Sequence, residues 1–305
     1  MINFWYKLEK PIIALAPMAG YTDSAFRMIC KRYGADVVYS EMISVDAITY
    51  NNPKTLRMLN HDKKEYPLVI QLFGNNPKKF AEATKFLTKN LKGTIGIDIN
   101  FGCPAHKVTK NGSGASLMDE LDKAQAIIKA VCDNTNFPVS IKIRTKVKET
   151  TAKKFISSIK DLPWSTVMIH GRTMTQGFAG EIDYETINKI KELVPEKIVL
   201  ANGGINNLSD AKNILDKTNA DGIGIARGAW GNPWIFSEIK NDDSVEKNIK
   251  QAMLEHAKLF LKDNDNLIPL RKNMVQYLKG TKNASELRQK IIKVETLNDL
   301  KKILN

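Results

Sequence analysis

Cysteine is scarce: of 305 residues only Cys30, Cys103 and Cys132 carry a thiol, and no two of them form a C-x-x-C pair. Neither a structural zinc site nor a disulfide framework is therefore expected, and no metal is called for. Long apolar runs are missing as well, since none reaches the roughly 18 residues that a membrane span needs. Met1 to Lys10 lacks the charged-then-apolar order of a signal peptide, so the expected location is cytoplasmic. The dinucleotide fingerprint is absent too: no G-x-G-x-x-G follows the first strand of a βαβ unit, so a nicotinamide nucleotide would have to visit a shared site. Acidic side chains are in deficit, with 33 against 46 basic ones and a net charge of +13. Such a surface favours a polyanionic partner such as nucleic acid over a small neutral ligand, the alternative being a surface that is merely rich in lysine.

What is present centres on G-I-D-I-N-F-G-C-P, residues 96–104. Ile95, Ile97 and Ile99 alternate with Gly96, Asp98 and Asn100, the period of a strand with two different faces. Phe101-Gly102 then turns the chain, and Pro104 bars Cys103 from the helical region, holding that thiol extended just past the strand end. Strand signals recur at 11–16, 37–40, 68–72, 95–100, 139–144, 166–170, 198–201 and 222–225, with helical patterns between nearly all of them. Eight strand-then-helix units in about 240 residues predict a parallel sheet closed as a (β/α)8 TIM barrel; a doubly wound open sheet is the runner-up.

The strand ends carry the informative residues. Gln71, Asn100, Lys142, Arg144, His170, Arg172 and Asn202 fall at or just past the C-terminal ends of five consecutive strands, the rim where barrel enzymes keep their chemistry. Lys142 and Arg144 alternate with Val139, Ile141 and Ile143, so both cations are expected to face the interior, where each needs a partner. Asn202-Gly203-Gly204 follows the seventh strand and Ala226-Arg227-Gly228 the eighth. Those loops are the usual phosphate site of the fold, because glycine lets backbone N–H groups approach an anion closely. A phosphate, amide and cationic donors and a lone thiol suit a flavin mononucleotide, although a phosphosugar would fit the phosphate loops as well. Cys30 and Cys132 fall in helical patterns and are expected to be inert core thiols.

Beyond residue 240 the pattern changes. Asn241-Asp242-Asp243-Ser244 reads as a polar linker with a helix cap, and residues 244–305 hold 13 basic and 7 acidic side chains, net +6, against +7 for the 243 residues before them. Helical patterns at 245–261, 269–278 and 285–293, with a final turn near 297–304, predict a small all-α helical bundle. The expected division is a catalytic barrel over 1–240 and a helical domain over 244–305.

Together A-P-M-A-G-Y-T-D (16–23), Q-L-F-G (71–74), N-F-G-C-P-A-H-K-V (100–108), I-K-I-R (141–144), H-G-R-T (170–173), A-N-G-G-I (201–205) and G-I-A-R-G-A-W-G-N-P-W-I-F (224–236) resemble the tRNA-dihydrouridine synthases. G-N-P-W-I-F and P-L-R-K (269–272) are most similar to the bacterial B subfamily, while the loop K-N-G-S-G-A-S (110–116) departs from the pattern. The resemblance implies an FMN enzyme that uses NADPH to reduce the C5–C6 bond of a uridine in the tRNA D-loop, with the barrel holding flavin and the helical domain tRNA. It implies FMN contacts at Pro17, Met18, Ala19, Gln71, Lys142, His170, Asn202, Gly203, Gly204, Ala226 and Arg227, and uracil contacts at Asn100, Arg144 and Arg172. Cys103 is the implied proton donor to C5; an ordinary thiol, with a pKa of about 8.5, is mostly protonated at neutral pH and can be that acid. A monomer is expected. Competing readings are a dihydroorotate-dehydrogenase-like enzyme acting on a free pyrimidine, against which the basic tail speaks, and a non-catalytic RNA-binding barrel, against which the polar rim speaks.

Overall fold

The structure is a computed structural model and describes residues 3–241 and 246–304. Eight parallel strands close on themselves: β1 (Ile12–Leu15), β2 (Val37–Ser44), β3 (Leu68–Phe73), β4 (Ile95–Asn100), β5 (Val139–Arg144), β6 (Thr166–His170), β7 (Ile198–Asn202) and β8 (Gly222–Ile225). Each pairs with the next in sequence, and β8 returns to β1 with Ile225 opposite Leu15. The outer helices are α1 (Ser24–Arg32), α2 (Pro77–Asn90), α3 (Leu121–Cys132), α4 (Ala152–Ile159), α5 (Tyr184–Leu193) and α6 (Leu208–Thr218), with only short helical turns between β2 and β3. The helix starts follow capping chemistry: Asp23 accepts from the Phe26 N–H at 2.9 Å, and Asn207 accepts from the Asp210 N–H at 2.9 Å to open α6.

Two apolar layers follow from the period of two. On β4 and β5 the residues Ile95, Ile97, Ile99, Val139, Ile141 and Ile143 face outward into one cluster with the helices. The barrel interior is a separate cluster of Tyr39, Val69, Met168 and Leu200, closed at one end by Phe4 and Trp5 from the N-terminal turn. A Cβ on Gly96 would sit 3.4 Å from the Phe4 ring and 3.3 Å from the Pro138 carbonyl oxygen, a close fit against the N-terminal turn. The polar side chains of β4 and β5 then fill the upper interior.

Two local features differ from the expectation. Strand β2 runs on to Ser44 through a register shift between Tyr39 and Met42, an irregularity of the kind that re-aims side chains, and Met42 ends in the mouth of the barrel. After β5 a two-residue hairpin pairs Lys146–Val147 with Thr150–Thr151, too short to leave a period in the sequence.

The C-terminal segment forms α7 (Ile249–Phe260), α8 (Arg271–Tyr277), α9 (Ala284–Ile291) and α10 (Leu297–Leu304). The expected cap at Ser244 lies outside the described residues; within them, Asn248 caps α7 by accepting from the Gln251 N–H at 2.9 Å. These helices do not form a self-contained core. Their apolar cluster, with Met253, Phe260, Leu270, Met274 and Ile291, includes Ala25 and Ile29 of α1, Tyr33 and Trp234. Helix α1 thus presents Phe26 and Cys30 to the barrel layer and Ala25 and Ile29, with Tyr33 just past its end, to the tail. Where α8 meets the barrel, Gly231 has φ +74° and a Cβ there would collide with the Gln276 backbone.

Candidate active site

One cavity of about 460 Å3 opens at the C-terminal ends of the strands, and every candidate residue from the sequence lines it. Parallel register explains the convergence. Asn100 is opposite Lys142, Arg144 opposite His170, and His170 opposite Asn202, so the last polar position of each strand arrives at one level. Lys142 donates from Nζ to Asn202 Oδ1 at 3.0 Å, while Asn202 Nδ2 donates to the Gly224 carbonyl at 2.6 Å. Pro17, Met18 and Ala19 border the opposite wall on the loop after β1, where Thr22 Oγ1 accepts from the Met18 N–H at 3.2 Å.

The electrostatics of this rim are one-sided. Burial, followed by the positive charges of Lys142, Arg144, Arg172 and Arg227, pushes His170 down to about 2, so its imidazole is neutral at physiological pH. Burial and then Arg144 lower Lys142 to about 7, with Asp98 acting in the opposite sense. Asp98 itself is fully buried beneath the cavity, and burial raises its carboxyl to about 6 against hydrogen bonds from Ser140 and Gln71.

Cys103 is held through its backbone. Asn100 Oδ1 accepts from the N–H groups of Gly102 and Cys103, at 3.1 and 2.9 Å, and the Cys103 carbonyl accepts from the Ala115 N–H at 3.0 Å. The glycine-rich loop that departed from the family pattern thereby acquires a role: Gly114, at φ +62°, has its would-be Cβ 2.8 Å from the Cys103 carbonyl oxygen, and only glycine lets that loop close over the cysteine.

Three residues expected to contact uracil line the cavity and also hold its rim together. Besides holding the turn through Oδ1, Asn100 donates from Nδ2 to Gln71 Oε1 at 2.9 Å. Arg144 donates to the carbonyls of Gly102 (2.7 Å), Thr173 and Gly177 (2.9 Å each), and Arg172 to that of Gly180 at 2.8 Å. The partner that buried charge required is a set of backbone carbonyls rather than a carboxylate. These bonds, with one from Arg227 to the Phe178 carbonyl at 3.2 Å, fold residues 173–180 over the cavity edge. Phe178 lies on that loop, 60% exposed, with the Arg227 guanidinium 4.9 Å from its ring centre. Cys132, expected in the core, is only half-buried because it ends α3, although burial still raises its thiol to about 12; Cys30 is fully buried.

Sequence reasoning did not single out Asp98, Met42, Tyr21, Phe178 or Trp230. Asp98 was visible in principle, sharing the inward face of β4 with Asn100. Tyr21 and Trp230 stand inside the family motifs, and their rings pack edge to face at 4.2 Å between centres. Phe178 sits in a loop with no periodic signal.

The cavity fits a phosphate-bearing aromatic cofactor. Gly203, at φ +114°, would place a Cβ 2.8 Å from the His170 ring, and a Cβ on Gly228 would collide with the Ile205 carbonyl, so the loops after β7 and β8 press together as a bare backbone cradle ahead of α6. Helix N-terminal N–H groups without intrahelical partners are ready anion donors.

A closed parallel barrel with a backbone phosphate cradle, amide and cationic donors and one thiol on its rim defines a cofactor-dependent barrel enzyme. Comparison with known proteins makes this specific. The family described as "Dihydrouridine synthase (Dus)" matches residues 14–305, and the chain belongs to that family of flavin-dependent oxidoreductases. It is 35% identical to a "Probable tRNA-dihydrouridine synthase" of Helicobacter pylori, over 96% of this chain and 90% of the relative. It is 36% identical to a "tRNA-dihydrouridine synthase B" of Vibrio vulnificus, over 93% and 91%. Among solved structures, histamine dehydrogenase from Rhizobium sp. 4-9 shares the fold, with a TM-score of 0.58 at 14% identity over 81% of this chain and 49% of that one.

Proposed function

We propose that this chain reduces the C5–C6 double bond of a uridine in the D-loop of tRNA, with FMN held in the barrel, NADPH as reductant, and the helices after residue 246 as a tRNA-binding domain. The reading further takes the protein to be a cytoplasmic monomer without a metal. Its main support is that Cys103 and the glycine cradle of β7 and β8 line one cavity. FMN, when bound, supplies hydride taken from NADPH to C6 of the uracil.

The protein's part is to bind, orient and protonate. Gly203, Gly204, Ala226 and Arg227 would hold the cofactor phosphate; Pro17, Met18, Ala19, Gln71, Lys142, His170 and Asn202 would line its ring system. Addition of hydride at C6 leaves enolate character at C5 and O4, and Cys103 Sγ–H delivers the proton to C5, completing a two-electron reduction. Its thiolate is then reprotonated from solvent. His170 does not compete as the acid, because a neutral imidazole with so low a pKa holds no spare proton at neutral pH. Lys142, lowered to about 7, is drawn toward its charged form by any nearby anion and so stabilises negative charge on a bound cofactor. The target base lies stacked within folded RNA and must be splayed out to reach the cavity. Tyr21, Trp230 and Phe178 offer aromatic faces at its edge.

The test is NADPH oxidation by the purified protein with and without unmodified tRNA, followed by mapping of dihydrouridine in the product. Oxidation that depends on tRNA and leaves dihydrouridine in the D-loop is expected. Turnover of a free pyrimidine with none on tRNA would replace this reading by the dihydroorotate-type one.

A further inference from the structure

Beneath the rim a chain of side-chain hydrogen bonds runs from the barrel interior to the cysteine turn. Ser140 Oγ donates to Asp98 Oδ1 at 2.6 Å, and Gln71 Nε2 donates to Asp98 Oδ2 at 2.8 Å. Asn100 Nδ2 donates to Gln71 Oε1 at 2.9 Å, and Asn100 Oδ1 accepts from the N–H groups of Gly102 and Cys103. Each member comes from its own strand position: Gln71 lies directly opposite Asp98 across β3 and β4, and Asn100 stands two residues beyond Asp98 on the same inward face. All of these side chains are buried, Asp98 completely.

The ends of the chain fix its direction. A carboxylate can only accept, and backbone N–H groups can only donate. Two amides placed between them satisfy both ends in one alignment alone, with each NH2 pointing toward Asp98 and each oxygen toward the turn. We propose that Asp98 is a positioning residue for Cys103, acting through Gln71 and Asn100 to hold the turn that carries the thiol. It does not line the cavity. Its contribution is the acceptor that keeps Gln71, and hence Asn100, in one orientation. This inference rests on the reading of Cys103 as the proton donor only for its catalytic meaning; the relay itself is a statement about the fold.

Asparagine at 98 can still present an oxygen to Gln71, with its NH2 toward Ser140 Oγ, whereas valine has the right bulk and no acceptor. Amide hydrogen exchange by NMR on the full chain separates these cases. In Asp98→Val the amides of Gly102 and Cys103 are expected to exchange about tenfold faster or more, as loss of a buried hydrogen-bond partner implies. The amide of Ile97 on the same strand should not follow, and Asp98→Asn should stay near the wild-type pattern. Gln71→Met, which cuts the middle link and leaves Asp98 in place, should reproduce the local loss if Asp98→Val does not fold. Unchanged exchange at Gly102 and Cys103 would overturn the relay. So would a loss spread evenly over the barrel core, or an Asp98→Asn protein as loosened as Asp98→Val, which would make the charge rather than the acceptor the active feature. If the two amides loosen while uridine reduction keeps its full rate, the relay stands and the role of Cys103 as donor falls.

Discussion

The rim of the barrel and the C-terminal helices are both basic, yet they use charge in opposite ways. At the rim, Lys142, Arg144, Arg172 and Arg227 converge on one buried imidazole, and the guanidinium bonds go to backbone carbonyls. In the tail the cations are mostly exposed, and several are matched by carboxylates, as in Arg271 with Glu295 and Lys290 with Glu286. Exposed pairs of this kind are worth about 0–1 kcal/mol and are screened by salt, so the tail is a diffuse attractor. Arg144 and Arg172, buried beside the cavity, keep their strength and act on whatever enters. The contrast teaches that net charge alone does not tell a docking surface from a reaction site; burial does.

The sharpest way to break this division is at the rim. Cys103→Ala is expected to retain cofactor and its reduction by NADPH, and to slow uridine reduction by about 10²–10⁴, the usual worth of a general acid. Stopped-flow measurement of the two half-reactions separates them, and a wild-type rate in the second would remove Cys103 from the mechanism.

At the seam between the regions, Trp234→Ala should cost about 3–5 kcal/mol of stability, because the indole is buried between Tyr33 and Tyr277 in the shared core. Chemical denaturation followed by far-UV dichroism measures this. A loss below about 1 kcal/mol would mean that tail and barrel do not share that core.

Replacing the exposed Lys279, Lys282 and Lys293 of the tail by Gln should leave cofactor binding intact and weaken tRNA binding. The slope of log K against log salt should flatten by about 0.7–0.9 for each phosphate that the protein no longer neutralises. Filter binding across a salt series reads it out, and an unchanged slope would place the RNA elsewhere.

The finest distinction lies between two histidines. Burial alone depresses His256, near Tyr277 in the seam, to about 3, whereas His170 is held down by burial and four cations. An anion bound in the cradle offsets those cations, so inorganic phosphate at neutral pH should shift the ring resonances of His170 and leave those of His256 unmoved. Titrating phosphate at constant pH while following the ring resonances by NMR tests this, and equal shifts at both would make the effect non-specific.

The barrel was legible because its strands are short, β-branched and separated by helices of a different period; the expected spans for β4, β5, β6 and β8 coincide with the observed ones. The site was legible to the extent that parallel register makes strand ends neighbours. Hydrogen-bond direction was not. The sequence called for a partner for Arg144 without naming it, because a sequence shows a side chain's chemistry and not its partner, and the loop carbonyls that engage Arg144 lie 29 and 33 positions away. The helices of the tail were legible in their period, whereas the sharing of α1 was not, since its apolar residues suit a helix covered on one side as well as on two.

That shared helix makes the tail a ruler. With Ala25, Ile29 and Tyr33 buried under it, Gly231 pressed against the Gln276 backbone, and Lys272 Nζ 4.7 Å from the centre of the Tyr21 ring, the described residues of the tail pack directly against the loops that border the cavity. On the proposed reading, a tRNA seated on those helices presents to Cys103 whichever nucleotide stands at that fixed distance. On the same reading, the choice of uridine is made by reach rather than by contacts to the edges of the base.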